Sequence, residues 1–470
     1  MLIKSFFTNS VGTLVSRIFG FVRDTLTASV LGANIYSDIF FVAFKLPNLF
    51  RRIFAEGAFT QSFIPSFIKA THKSLFTFTT FTRFLLFLLF FSFIVTLFST
   101  FFTKIIAFGF DEATIELASP FVAINFYYLP LIFCVTFLGS LLQYKHHFAT
   151  TAFSTALLNI AMITALIVFK NYDRKTIVYA LSYSVLIGGF LQVIAHYLAI
   201  KRHYLVKIFF VGYAYRRKNK EKVIIKETNQ RFYQSFFHSI IGNSTPQIVS
   251  FIDTTLASFL LSGSISYLYY GNRIFQLPLA LFAIALTTGI FPRITRLLKN
   301  NDKEADTLLI KGFWLLAFLL TTSTLGGYML SHEIVQLLFE RGSFSSADTK
   351  MTAWVLSMYM IGLIPFGLSK LFSLWLYAQM RQKEAARIAV YSLISNLIFS
   401  FALIKPMGVA GLALAGSLAG CVLFIFTIRS FGVKKFLAIL RNKKLLMLIA
   451  LLCVEVVAIY SIKELLHGYL

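Results

Sequence analysis

The chain has 470 residues, of which 57% are hydrophobic and 13% charged, with a mean hydropathy of +0.76. A soluble domain carries roughly 25% charged residues, so a soluble globular protein is excluded. The net charge of +25 does not point to nucleic acid, because the 55 phenylalanines form no stacking repeat and Lys and Arg collect in alternate joints between apolar runs, as membrane topology requires.

The N-terminal MLIKSFFTNSVGTLVSR has no separate apolar core followed by a small-residue cleavage site, so no cleavable signal is expected. The first membrane helix is predicted over 8–31 and carries Arg17, Arg23 and Asp24. The second, over 35–62, carries Asp38, Lys45, Arg51, Arg52 and Glu56 around Pro47. Arginine is among the costliest residues to place in hydrocarbon, so four of them here need a wet, protein-lined space to point into. Arg52 and Glu56 are four apart and are expected to brace one helix face.

Apolar spans follow at 78–103, 117–142, 148–169 and 176–200. The joint 201–231, KRHYLVKIFFVGYAYRRKNKEKVIIKETNQR, mixes apolar clusters with basic residues. It suits either an amphipathic element lying on anionic membrane lipid or a solvated linker. Further spans are predicted at 232–261 with Asp253, 265–291 with Arg273 beside Asn272, 309–330 and 350–378. The last three are 384–404 with Asn396 and Ser400, 408–428, and 445–463 with Glu455. The stretch LLFERGSFSSAD between the ninth and tenth spans is expected to form a small re-entrant or surface helix. With the N-terminus in the cytoplasm nearly every basic joint lies inward, and thirteen spans leave the C-terminus in the periplasm.

The second half echoes the first: SDIFFVAFKLPNLFRRIFAEGAFTQSFIP can be laid on YYGNRIFQLPLALFAIALTTGIFPRI. Each copy carries a Leu-Pro inside the span and follows a helix with an acid, Asp24 or Asp253. A proline there frees a backbone carbonyl and bends the helix. The fold expected is therefore an all-α polytopic membrane protein of about thirteen transmembrane helices, with two six-helix lobes around a central cavity plus a C-terminal helix. Its domains are expected to be an N-terminal lobe over 1–200, the basic linker 201–231, a C-terminal lobe over 232–430, and an interfacial segment with an additional helix over 431–470.

Arg17, Arg23, Arg51 and Arg273, if they converge from both lobes, form a cationic site with fork-like donors suited to a diphosphate. Asp24, Asp38, Arg52 and Glu56 would form its supporting charge network. The competing role is helix packing, with each arginine neutralised by Asp24, Asp38 or Glu56. Asp253 is a candidate for a coupling cation or proton, or for an arginine counter-ion. Asn396 and Ser400, one turn apart, offer neutral oxygens to the same ion. No nucleotide fingerprint, acyl-transfer triad or metal spacing is present, and the three cysteines Cys134, Cys421 and Cys453 lie in apolar segments, so neither an enzyme nor a resident metal is expected.

The opening SRIFGFVRDTLTASVLGA followed by SDIFFVAFKLPNLFRRIFAEGAFTQSFIP resembles the signature region of the MurJ/MviN family, and GNRIFQLPLALFAIALTTGIFP resembles that family's eighth helix. The resemblance covers roughly residues 1–430. It implies a fold of the multidrug/oligosaccharidyl-lipid/polysaccharide exporter type in a bacterial inner membrane, and the flipping of lipid II by alternating access. It implies further that Arg17, Arg23, Arg51 and Arg273 match the family's cavity arginines, with Asp38 and Glu56 in support, and that additional C-terminal helices form a groove for the polyprenyl tail. This chain departs from the pattern in three places. Asn272 stands where relatives carry aspartate; Ser400 stands where an aspartate completes a proposed sodium site with Asp253 and Asn396; and thirteen helices are found in place of fourteen. No cofactor is expected, Na⁺ or H⁺ coupling stays open, and the transport unit is expected to be a monomer. The alternatives are an ion-coupled exporter of another polyprenyl-linked sugar or drug-like solute, and, in a different class, an intramembrane lipid-phosphate enzyme.

Overall fold

The computed structural model describes residues 2–53, 59–218, 223–300 and 302–469, and their regular structure is entirely helical. The chain divides into two compact units, Met1–Ser262 and Gly263–Leu470.

The first unit opens with α1 (Leu2–Leu31), α2 (Ile35–Ile53) and α3 (Phe59–Lys69), so the predicted second span is two helices. It continues with α4 (Lys73–Leu97), α5 (Ser99–Ile106), α6 (Glu112–Phe126) and α7 (Tyr128–Tyr144). Then come α8 (Ala149–Phe169), α9 (Arg174–Arg202), α10 (Val206–Lys218) and α11 (Val223–Ala257). Asp111 and Asp173 cap α6 and α9 by accepting from the Thr114 and Thr176 amides, which satisfies donors that a helix start leaves open. Part of the basic joint is the helix α10, packed on α4, and Gly212 comes so close to the Ser74 carbonyl there that a side chain would not fit.

Phenylalanine builds the core of this unit. Phe59 and Phe63 of α3, Phe76 and Phe84 of α4, and Phe232 of α11 meet in edge-to-face pairs, with Phe133 and Phe137 of α7 alongside. Such pairs add to ordinary area burial because ring edges face ring faces. Through Phe232, α11 packs against α3 and α4 in the first unit. The compact units consequently divide at Ser262, one helix beyond the basic joint.

The second unit begins with α12 (Ser264–Pro278), a π-helical turn (Leu279–Ile284) directly after Pro278, and α13 (Ala285–Asn300). A proline removes one amide donor, and a wider turn is one way to absorb that loss. Then follow α14 (Asp302–Met329), α15 (Ser331–Phe339), α16 (Ser346–Ile361) and α17 (Leu363–Ala378). The stretch LLFERGSFSSAD, expected to form a small helix of its own, is instead the last residues of α15, a turn over 340–345 and the start of α16. α18 (Gln382–Phe431) is two limbs joined at Gly408, whose φ of 56° and ψ of −131° are not helical. The chain closes with α19 (Val433–Leu440) and α20 (Lys443–Tyr469). α20 is held to α15 by the Lys463–Glu333 ion pair at 3.1 Å.

Nine helical stretches among the described residues are long and apolar enough to cross a membrane. One of them, Gln382–Phe431, holds both limbs of α18 and so accounts for two predicted spans. The predicted spans that fall short of that measure are α1, the α2–α3 pair and α11, which carry the charged and polar residues already singled out. Side chains such as Leu86, Phe90, Phe93 and Phe101 on α4 and α5 remain outward and exposed, as lipid-facing surface requires. The protein is an all-α, multi-pass membrane protein.

Candidate functional site

The site in the first unit is assembled where α1 lies along α8. The Arg23 guanidinium donates to Asp24 Oδ1 through Nε at 3.0 Å and Nη2 at 2.5 Å, and to Asn159 Oδ1 through Nη1 at 3.0 Å. Asn159 in turn donates to the Ser16 carbonyl at 3.1 Å. This chain of bonds orients the guanidinium, and the Asp24 carboxylate offsets its charge. Arg17 is exposed on the same helix. It lies six residues before Arg23, which at about 100° per residue places the two on different faces.

Arg51, near the end of α2, donates from Nε to Asn48 Oδ1 at 3.0 Å. It lines a cavity of about 230 Å³ whose other walls come from α3, α7, α8 and α9. Tyr128 stands on that wall, donating its hydroxyl to Gln192 Oε1 at 3.2 Å, while Gln192 Nε2 donates to the Ser154 carbonyl at 3.0 Å. Gly189 makes this possible, since a Cβ there would lie 2.8 Å from the Tyr128 ring. Arg51 and Arg23 both act electrostatically on the Tyr128 hydroxyl. Arg51 shares the cavity wall with Tyr128, whereas Arg23 is bonded to Asp24 and Asn159. The side chain of Arg52 and the whole of Glu56 lie outside the described residues, as does the brace expected between them.

On the other side of α2, Asp38 is buried in the first turn. Lys45 Nζ donates to Ser250 Oγ of α11 at 2.8 Å. Asp253 lies three residues further on, hence on the same helix face, and the Lys45 charge acts on it. Its Oδ1 is buried and has no hydrogen-bond partner among the described residues. In the second unit Asn396 and Ser400 are buried on the first limb of α18, and both amide atoms of Asn396 and the Ser400 hydroxyl lack partners among the described residues. The neutral oxygens have the chemistry to suit an alkali ion, and the Lys45 charge acts on the carboxylate expected to supply its counter-charge. No group of three or more His, Cys, Asp or Glu side chains gathers for a metal among the described residues.

Arg273 is partly buried on α12 in the second unit. The Tyr267 hydroxyl donates to Asp348 Oδ1 of α16 at 2.9 Å. Gly271 lets α12 approach α16, a Cβ there falling 2.9 Å from Val355 Cγ1. These contacts fix the helix that carries Arg273. Asn272, the position lacking an acid, accepts a bond from Gln276 one turn later. Glu455 faces α14 near Gly326, with Oε2 buried and without a hydrogen-bond partner among the described residues.

Tyr128, Gln143, Asn159 and Gln192 went unremarked in the sequence, although each is a polar group set in an apolar run, a signal that would have found them.

A family model described as lipid II flippase MurJ matches residues 27–470. A probable lipid II flippase MurJ of Helicobacter pylori strain J99 is 49% identical over 445 residues, covering 93% of this chain and 97% of the relative. The corresponding protein of Aquifex aeolicus is 32% identical, covering 89% of this chain and 81% of the relative. Among solved structures, a lipid II flippase MurJ in an inward closed conformation superposes with a TM-score of 0.80 at 26% identity, covering 95% of this chain and 92% of that one. An inward-facing multidrug resistance MATE family transporter of the MOP superfamily shares the fold, with a TM-score of 0.61 at 11% identity over 93% of this chain and 99% of that one. The chain belongs to the MurJ family of lipid II flippases.

Proposed function

We infer that this chain flips lipid II, the lipid-linked peptidoglycan precursor, from the cytoplasmic to the periplasmic leaflet of the bacterial inner membrane. No covalent bond changes, so the protein is a transporter and not an enzyme. Beyond family membership, the observation that carries the reading is Arg51 on the wall of a polar-lined cavity inside an otherwise apolar bundle. Guanidinium forks replace the water around a diphosphate with charge-assisted bonds, which offsets part of its desolvation cost. Arg273 and Arg17 are proposed to complete the anion site when the units alternate their access, while the polyprenyl tail stays in lipid. Asp24 and Asp38 would hold the arginines in place between substrates.

The N-terminus is proposed to be cytoplasmic and the C-terminus periplasmic, because that orientation puts nearly every basic joint inside. It sets α10 at the inner surface, where exposed Lys207, Phe210, Val211 and Arg217 suit anionic lipid headgroups. A monomer is proposed as the transport unit. Coupling to Na⁺ or H⁺ would act through Asp253, Asn396 and Ser400; Lys45 beside Asp253 argues against Na⁺.

The test is reconstitution in liposomes containing fluorescent lipid II, scored for arrival of the head in the opposite leaflet. Wild-type protein is expected to move it, and Arg51→Ala and Arg273→Ala to abolish movement while leaving the lipid chemically intact. Undiminished transport by both variants would remove the proposed anion site. A chemically altered lipid would replace the transporter with an enzyme.

A further inference from the structure

We propose that the cavity of the first unit seats the N-acetylated sugar attached to the diphosphate of lipid II, and that Gln143 and Thr155 are the groups that read it. The proposal rests on the flippase reading above.

The chemistry of the lining is selective. Among the described residues Arg51 is the one charged residue of the lining, and the rest of the polar lining is hydroxyl and amide, so the cavity suits a neutral, hydroxyl- and amide-bearing group beside a phosphate. Its volume of about 230 Å³ falls below the ~300 Å³ at which pockets begin to enclose a whole drug-sized ligand. One ring with its acetamido arm is the scale of group it admits, not a disaccharide-pentapeptide.

Most polar groups of the lining are already committed within the protein. Tyr128, Gln192 and the Ser154 carbonyl satisfy one another. Thr136 donates to the Ile132 carbonyl at 2.9 Å, Thr60 pairs with Ser140 at 2.9 Å, and Ser154 donates to the Thr151 carbonyl at 3.1 Å. Thr151 approaches His196 Nε2 at 3.5 Å. Gln143 on α7 and Thr155 on α8 remain: they line the cavity, and neither side chain has a hydrogen-bond partner among the described residues. A carboxamide carries both a donor and an acceptor, which matches the N–H and C=O of an acetamido group, and a threonine hydroxyl suits a ring hydroxyl. Gln143 is two residues before Lys145 in a basic joint. With the N-terminus in the cytoplasm, the subsite therefore lies toward the leaflet from which the substrate departs.

The experiment measures binding of three lipids to the full-length protein in detergent: undecaprenyl diphosphate, undecaprenyl diphosphate carrying one N-acetylglucosamine, and lipid II. Gln143→Ala and the isosteric Thr155→Val are each expected to weaken the two glycosylated lipids ~10-fold, the effect of one lost hydrogen bond in a dry site. Both variants should bind bare undecaprenyl diphosphate as the wild type does, whereas Arg51→Ala weakens all three lipids. Melting curves identify a variant that has not folded, and the other then carries the test. Equal loss for all three lipids, no loss for any, or loss confined to lipid II overturns the sugar subsite. If the wild-type protein binds none of the three, the flippase reading itself fails.

Discussion

At the scale of single residues, the arginines divide by what holds them. Arg23 is fastened to Asp24 and Asn159 where α1 meets α8, whereas Arg51 donates from Nε to Asn48 and lines the cavity. A lysine at position 51 would keep the charge but lose the fork that engages two phosphate oxygens. Arg51→Lys is therefore expected to reduce lipid II affinity by roughly tenfold, since a charge-assisted bond is worth about 1.5–3 kcal/mol. Arg23→Lys is expected instead to lower the melting temperature more than it lowers affinity, because its guanidinium is spent on the α1–α8 interface. Binding and melting curves on the two variants check the division, and equal effects from both would refute it. The pairing of Arg23 with Asp24 is legible in the sequence because the residues are adjacent. Asn159 is not, because it lies 136 positions away and only the packing of α8 on α1 brings it there. Nor is Tyr128: it reads as one more aromatic until two guanidinium groups are found acting on it.

At the scale of elements, hydropathy locates the helices well and their internal breaks less well. The predicted spans at 384–404 and 408–428 match the two limbs of α18, because Pro406 and Gly408 between them announce a turn. The expected split between lobes is harder to read. Phe232 looks like any lipid-facing phenylalanine in the sequence, yet it is fully buried among the rings of α3 and α4 and draws α11 to the first unit. Gly411, Ala415 and Ala419, spaced four apart on the second limb of α18, also divide in role. The two alanines are buried, but Gly411 sits against the Leu403 carbonyl of its own bent helix, and the close approach to α17 falls to Gly420 against the Phe366 ring. Gly408 isolates the contribution of backbone conformation. A Cβ there would meet nothing within 4 Å, yet φ is 56° and ψ −131°, a region open essentially to glycine alone. Gly408→Ala is expected to destabilise the protein by about 1–3 kcal/mol through backbone strain without a clash. Denaturation in detergent tests this, and a variant as stable as the wild type would show that the bend needs no glycine.

At the scale of the whole molecule, the question is what drives the cycle. A protein that carries several buried cations responds to membrane potential, each full crossing being worth about 2.3 kcal/mol per charge per 100 mV. An exchangeable sodium ion is a second source of drive, and it would need a free intramembrane carboxylate. Asp253 is the carboxylate expected for that role, but the charge of Lys45, anchored on Ser250 one turn away, acts on it. An added sodium ion would meet repulsion from the ammonium in a medium that screens it poorly. Wild-type protein should therefore melt at the same temperature in sodium, potassium and choline chlorides. Where two buried charges interact, removing one strands the other, whereas removing both costs less. Lys45→Met and Asp253→Asn should each lower stability, and the double variant should lose less than the two single losses added together. Lys45→Met alone should acquire a stabilisation specific to sodium, and Asp253→Asn added to it should abolish that gain. Sodium-specific stabilisation of the wild type, or single losses that simply add, would return Asp253 to the role of an ion ligand and make sodium a driver of the flip.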